Sequence, residues 1–180
     1  MTCWANGRTP VGLWPMPESD LTHGRSACSA ALRELLCNLT ASEPAGAVSG
    51  DVLLIDNDFA DWPLNDLAVM QALQTWLKPP GRRLRMVGLD FDAVARAHPR
   101  FFRWRRDWAH RIEVWRPADG VWAPDLRGLL AGPVALQWLD APDGCLRRLT
   151  GKVQVHALRE RSAAFLQHCE LAWPVTTLGL

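Results

Sequence analysis

Two acidic pairs, each at the end of a short apolar run, are the residues of this chain best placed to do chemistry. Asp56 and Asp58 follow the run 52–55, and Asp90 and Asp92 follow a second such run. Both pairs pass directly into a helical pattern, which predicts the order strand, acidic loop, helix. Ligands of open α/β sheets bind outside the carboxyl ends of the strands, so we expect a functional site at these two loops.

The second pair, in the sequence DFDAV, resembles the first motif of haloacid dehalogenase-like phosphatases. The resemblance implies that one aspartate attacks phosphorus, the other acts as acid and base, and both help to hold Mg²⁺. That chemistry also needs a Ser or Thr, a Lys and a second acidic pair. Lys152 is a candidate for the Lys, and Asp140 with Asp143 for the acidic pair, but these residues lie too close together along the chain to fit well. The competing interpretation, which we favour, is that Asp58, Asp61, Asp90 and Asp92 cap the starts of helices and complement their dipoles.

A third candidate region interleaves arginines with aromatic residues over 98–116. Its candidate ligand or partner contacts are His98, Arg100, Arg103 and His110. Such a mixture binds single-stranded nucleic acid through phosphate contacts and base stacking. The helical spacing of Phe101, Trp104 and Trp108, however, predicts one buried stripe, which favours a solvated basic face. Nucleic-acid binding therefore stays an alternative.

Composition narrows the class of protein. A length of 180 residues fits one domain. The formal charge of +1 gives no overall electrostatic attraction to nucleic acid or to an anionic membrane. Five cysteines without a C-x-x-C pair indicate reduced thiols and a cytoplasmic protein. No apolar stretch reaches the roughly 20 residues that a membrane span requires. Rare Lys and Ile with frequent Arg, Ala and Trp indicate a GC-rich, bacterial genome.

The remaining patterns predict an irregular arm over residues 1–24 and a single α/β domain over 25–180. The predicted helices are 26–39, a second opening at an Asp61 N-cap, 93–110 kinked or divided at Pro99, and 155–172. The predicted strands are 11–14, 51–56, 84–89, 112–115, 134–139 and 145–149. This order predicts one mixed sheet with helices on both faces.

In that setting the block 98–117, which reads HPRFFRWRRDWAHRIEVWRP, resembles a small bacterial family of unknown function. That family is similar to one degenerate half of the phospholipase D-like fold, and the resemblance covers about residues 26–173. The chemistry of that superfamily needs a His nucleophile and a Lys two residues later. The hairpin at which this pair is expected, residues 131–140, holds neither.

We therefore expect a binding or interaction module without catalytic activity. Because the parent architecture places two halves side by side, the resemblance implies self-association as a homodimer. An unknown protein partner is the alternative to self-association. No metal and no cofactor are expected, and Mg²⁺ belongs only to the phosphohydrolase alternative with Asp90 and Asp92.

Overall fold

The two apolar runs that precede the acidic pairs form neighbouring parallel strands at the centre of an eight-stranded mixed sheet. The structure is a computed structural model and describes residues 21–40 and 50–172. The strands are β1 (Leu21–His23), β2 (Asp51–Ile55), β3 (Arg83–Val87), β4 (Ile112–Pro117), β5 (Gly128–Ala131), β6 (Val134–Leu139), β7 (Cys145–Leu149) and β8 (Cys169–Leu171). Their order across the sheet is β1-β7-β6-β5-β2-β3-β4-β8, in which β2, β3 and β4 are parallel and the other pairings are antiparallel.

Helices cover both faces of this sheet, as the sequence predicts. They are α1 (Arg25–Cys37), α2 (Leu67–Leu77), α3 (Phe91–Ala97), α4 (Pro99–Asp107) and α5 (Lys152–Leu166), with a short 3-10 helix at Pro124–Leu126. Buried side chains of α1 to α4 belong to the larger core cluster, and those of α5 belong to a smaller one. Among the described residues, no helix is long and apolar enough to cross a membrane.

The apolar character of β2 follows from burial on both faces of the sheet. Successive side chains of a strand point to opposite faces. Val52 and Leu54 face the larger core, whereas Leu53 and Ile55 face the smaller core beside α5. A strand covered on both sides is expected to be continuously apolar rather than alternating. The run therefore encodes a central position in the sheet.

The helix after the first acidic loop begins later than predicted. Asp66, not Asp61, caps α2, and its carboxylate accepts hydrogen bonds from the amides of Ala68 (2.7 Å) and Val69 (3.4 Å). Asp61 is exposed, because the chain turns between the two aspartates to bury Trp62. A hydrogen bond from Arg33 of α1 also holds the pKa of Asp66 below its ordinary value.

The division of the long helical pattern at Pro99 is confirmed. The amide of His98 donates to the carbonyl of Val94 and closes α3, and Pro99 opens α4. Proline is favoured at the first position of a helix because its missing N–H would have no partner there. The change of direction is therefore encoded locally.

Besides the start of α2, three strands and the bounds of the last helix differ from the prediction. The segment predicted to be an irregular arm ends in β1, which pairs with β7, and β5 was assigned to no element. The last helix was predicted over 155–172, but α5 ends at Leu166 and the chain forms β8 against β4. Strands of three or four residues carry too little periodicity to be recognised, since their partners decide them. The strand predicted at 11–14 lies outside the described residues.

We predict that Gly128→Ala destabilises the fold by roughly 2–4 kcal/mol. Gly128 opens β5 with a φ of 147°, and a Cβ there would lie 2.0 Å from the carbonyl oxygen of Leu136. Urea denaturation measures the loss. In the control Gly120→Ala, φ is 78° and nothing lies within 4 Å of the added Cβ, so backbone strain alone should cost about 1 kcal/mol. Equal losses in the two variants would contradict the close approach.

Candidate functional site at the carboxyl edge of the parallel strands

Asp56 is the most constrained of the predicted site residues. It follows β2 directly and is only 3% exposed. Its carboxylate accepts a hydrogen bond from the Trp62 indole (2.8 Å) and bonds from Arg127 Nη2 to both oxygens (3.1 and 3.3 Å). Its amide donates to the carbonyl of Val87 at the end of β3 (3.1 Å). Both carboxylate oxygens are therefore occupied within the protein.

The partner of this carboxylate was missed by the sequence analysis. Arg127 immediately precedes β5 and lies 71 positions from Asp56 in the chain. Its guanidinium carbon lies 5.9 Å from the ring centroid of Trp138. The only local signal is an arginine placed beside the buried run of β5. Nothing in the sequence around Arg127 indicates which carboxylate it meets.

The two acidic loops lie side by side, as their positions after parallel strands predict. The carbonyl of Asn57 accepts hydrogen bonds from the amides of Leu89 (2.9 Å) and Asp90 (3.0 Å). Asp58 closes its own loop, because its carboxylate accepts from the amide of Ala60 (3.0 Å). The first loop thus supports the second, and Asp58 serves as a turn residue and not as the predicted helix cap, because Asp66 caps α2.

Asp90 acts as a helix cap. Its carboxylate accepts a hydrogen bond from the amide of Ala93 (2.9 Å), and Arg96 lies 3.9 Å away at the surface. Asp92 is exposed in the first turn of α3, where a negative charge complements the helix dipole. Within residues 21–40 and 50–172, no group of three or more His, Cys, Asp or Glu side chains is arranged to hold a metal ion.

His98 lies inside the protein rather than on the basic surface. It is 4% exposed, and its Nε2 lies 2.8 Å from the carbonyl oxygen of Phe59. That contact requires Nε2–H to donate, since the carbonyl can only accept. Phe59 has a positive φ of 56°, which is uncommon for a residue with a bulky side chain. His98 therefore ties the α3–α4 junction to a strained position in the first acidic loop.

The helix α4 separates aromatic from basic side chains as predicted. Phe101 is fully buried, and Trp104 and Trp108 are half-buried against the larger core. The exposed arginines, which we call the α4 basic face, are Arg100, Arg103 and Arg106. Past the end of this helix, the exposed ring of His110 stacks on Trp108 at 6.1 Å. The tryptophans are therefore packing residues, whereas the arginines are accessible.

One arginine of this helix is not a surface charge. Arg105 is buried, and desolvation lowers the pKa of its guanidinium to about 10. The segment therefore presents fewer surface cations than its sequence contains.

A cleft of about 320 Å³ opens at the carboxyl ends of β3 and β4. Leu89, Val121 and Trp122 supply apolar walls, and Arg116 and Asp119 supply one charge of each sign. Its position is the one at which open α/β sheets bind ligands, and its volume is near the lower end of the roughly 300–1,000 Å³ typical of small-molecule sites. The sequence pattern predicts no helix or strand over residues 117–124 and does not indicate this cleft.

Comparison with known proteins shows the fold without showing a family. No protein-family model and no curated protein matches the sequence. The structure is similar to TrmBL2, an archaeal chromatin protein with a novel mode of DNA binding (TM-score 0.59, 13% identity, 84% of this chain and 53% of that chain). It is also similar to phosphatidylserine synthase of Haemophilus influenzae (TM-score 0.50, 17% identity, 84% of this chain and 38% of that chain).

The second similarity supports the expected phospholipase D-like fold, because the synthase belongs to that superfamily. At these identities the likeness concerns the fold alone. This chain spans about half of the chromatin protein and just over a third of the synthase. The resemblance to a bacterial family of unknown function stays a prediction.

We predict that Asp56→Asn lowers the free energy of unfolding by roughly 2–4 kcal/mol. The amide removes the charge that faces Arg127 and points N–H groups at another donor. Urea denaturation of Asp58→Asn provides the control, since its amide oxygen can still accept from Ala60 and its loss should stay below about 1 kcal/mol. A small loss in Asp56→Asn would show that this carboxylate is not a structural anchor.

Proposed function

We propose that this chain is a binding or interaction module without catalytic activity, built on a phospholipase D-like half. The observation that carries the proposal is the engagement of Asp56. A nucleophile or general base needs an oxygen that can reach a substrate. The carboxylate of Asp56 is buried, and each of its oxygens already accepts a hydrogen bond from Arg127 or from Trp62 and Arg127.

The other candidate groups at this edge also have structural roles. Asp90 caps α3, Asp58 closes a turn, and His98 binds the carbonyl of Phe59. The cleft at the carboxyl ends of β3 and β4 offers a place for a ligand, with Arg116 as a contact for an anionic group. A homodimer or a protein partner, a cytoplasmic location and a bacterial origin remain part of the proposal.

The phosphohydrolase alternative centres on Asp90 and Asp92 with Mg²⁺, and activity assays separate it from the proposal. We expect the native protein and Asp92→Asn to give no turnover of phosphomonoesters or phosphodiesters above the blank, with or without Mg²⁺. We also expect Asp92→Asn to change the free energy of unfolding by less than about 1 kcal/mol, because the side chain is exposed. Mg²⁺-dependent turnover that disappears in Asp92→Asn would establish the phosphohydrolase instead.

Nucleic-acid binding is the second candidate function. Two observations favour it: the α4 basic face is exposed, and the fold is shared with a chromatin protein that binds DNA. The half-buried tryptophans of α4 limit base stacking, so phosphate contacts would supply most of the affinity.

Salt dependence tests this second function. If the α4 basic face binds single-stranded DNA, the logarithm of the binding constant falls linearly with the logarithm of salt, by roughly 0.7 for each phosphate contact. In the combined variant Arg100→Gln, Arg103→Gln and Arg106→Gln, the magnitude of that slope should then fall by up to about 2. Fluorescence anisotropy with a labelled oligonucleotide measures it, and Arg148→Gln on β7 is the single-charge control. A slope unchanged by the combined variant would exclude this face.

A further inference from the structure

A second cleft, of about 200 Å³, lies between α5 and the strands β6 and β7. Gln137 and Arg147 line it from the sheet, and Gln154 and Arg161 line it from the helix. Leu149 and Leu158, which belong to the smaller core, form its apolar floor. We call these six residues the α5 cleft. None of them belongs to the carboxyl-edge loops described above.

The polar groups of the sheet are held in a fixed arrangement. Gln137 and Arg147 are directly opposite each other in the β6–β7 pairing. The Gln137 amide donates from Nε2 to the carbonyl of Asp125 (2.6 Å), which fixes its oxygen as the acceptor for Arg147 Nη2 (2.5 Å). This chain of bonds orients the guanidinium before any ligand arrives. The Nε of Arg147 is buried and makes no hydrogen bond in the described part of the chain.

The helix contributes a second guanidinium at the rim. Gln154 and Arg161 are seven residues apart and therefore lie on one stripe of α5. Arg161 forms an ion pair with Asp125, and both side chains are more than half exposed. A surface pair of this kind contributes little stability and can exchange its partner readily. Arg161 is thus free to turn from Asp125 toward a bound anion.

The charges of the α5 cleft favour an anion. Its lining contains two guanidinium groups and two carboxamides and no carboxylate, and the one carboxylate described at its rim is that of Asp125, so the cations outnumber the anion. The first turn of α5 carries no acidic residue, and its N-cap, Gly151, has no side chain to cap the helix. No carboxylate of the first turn therefore offsets the positive end of the helix dipole, and the nearest side-chain oxygen is the neutral amide of Gln154, 3.1 Å from where a Cβ of Gly151 would lie. Each of these features stabilises negative charge in the cleft.

The size and geometry of the cleft narrow the ligand further. Its volume is below the roughly 300–1,000 Å³ of sites for drug-sized molecules. Guanidinium groups match tetrahedral oxyanions through paired N–H donors, and phosphate accepts more such bonds than a carboxylate does. We propose that the α5 cleft binds a small phosphate-bearing ligand, either inorganic phosphate or a small phosphate monoester. This inference rests on the proposed function as a binding module and names a ligand class for it.

Calorimetric titration with inorganic phosphate and with glycerol phosphate, at constant ionic strength set with sodium chloride, tests the proposal. We expect saturable binding of one equivalent, weakened about tenfold or more by Arg147→Gln, because each bond to a charged group contributes at least that factor. The matched control is Arg148→Gln, which makes the same change at the next position of β7. Its side chain points to the opposite face of the sheet, so affinity should not change.

Arg161→Gln keeps the test decisive if Arg147→Gln does not fold. This rim residue is exposed, so its variant should unfold at the native temperature while binding the phosphate probes several-fold more weakly. Tighter binding of glycerol phosphate than of inorganic phosphate would identify a monoester as the ligand, and equal binding would identify the free anion. No saturable binding, or equal weakening by Arg148→Gln, would overturn the proposal.

Phosphorus NMR of the same samples separates this inference from the proposed function. We expect glycerol phosphate to remain intact during the titration. Its hydrolysis by the native protein would overturn the proposed non-catalytic function even if the α5 cleft binds phosphate. If the protein neither binds nor hydrolyses glycerol phosphate, only the proposal that the α5 cleft binds phosphate is overturned, and the proposed non-catalytic function stands.

Discussion

The ion pair between the buried Asp56 and the partly exposed Arg127 joins the parallel half of the sheet to its antiparallel half. Asp56 ends β2, and Arg127 begins the segment that pairs beside it as β5. Because breaking such a pair leaves a buried charge without a partner, the two halves are held in one arrangement at this point. The same interaction occupies the carboxylate that would otherwise be the best-placed reactive group at the carboxyl edge.

Other polar groups at this edge are also engaged in hydrogen bonds within the protein. The hydrogen bond from His98 to the carbonyl of Phe59 supports a backbone conformation with positive φ, and Asp90 orders the start of α3. Groups committed to internal bonds are poor candidates for catalysis but good supports for a rigid surface. The groups that we propose for recognition are cationic, and they lie on the α4 basic face, in the α5 cleft and, as Arg116, in the cleft at the ends of β3 and β4.

Two of the solved structures similar to this chain show why function must be argued from sites. One is a chromatin protein with a novel mode of DNA binding, and the other is a phosphatidylserine synthase. One architecture thus supports both a binding protein and an enzyme, so the fold alone favours neither. In this chain, the hydrogen bonds of Asp56 and the exposed arginines of α4 are the observations on which the proposed binding function rests.

Local sequence determined the features that depend on neighbouring residues. The apolar run of β2, the helix division at Pro99 and the stripe of Phe101, Trp104 and Trp108 all follow from periodicity or backbone geometry within a few positions. Tertiary structure alone decided the Asp56–Arg127 pair, the short strands β1 and β8, and the arrangement of the α5 cleft. These features join residues that are distant along the chain. No local pattern encodes which distant residues come into contact when the sheet forms.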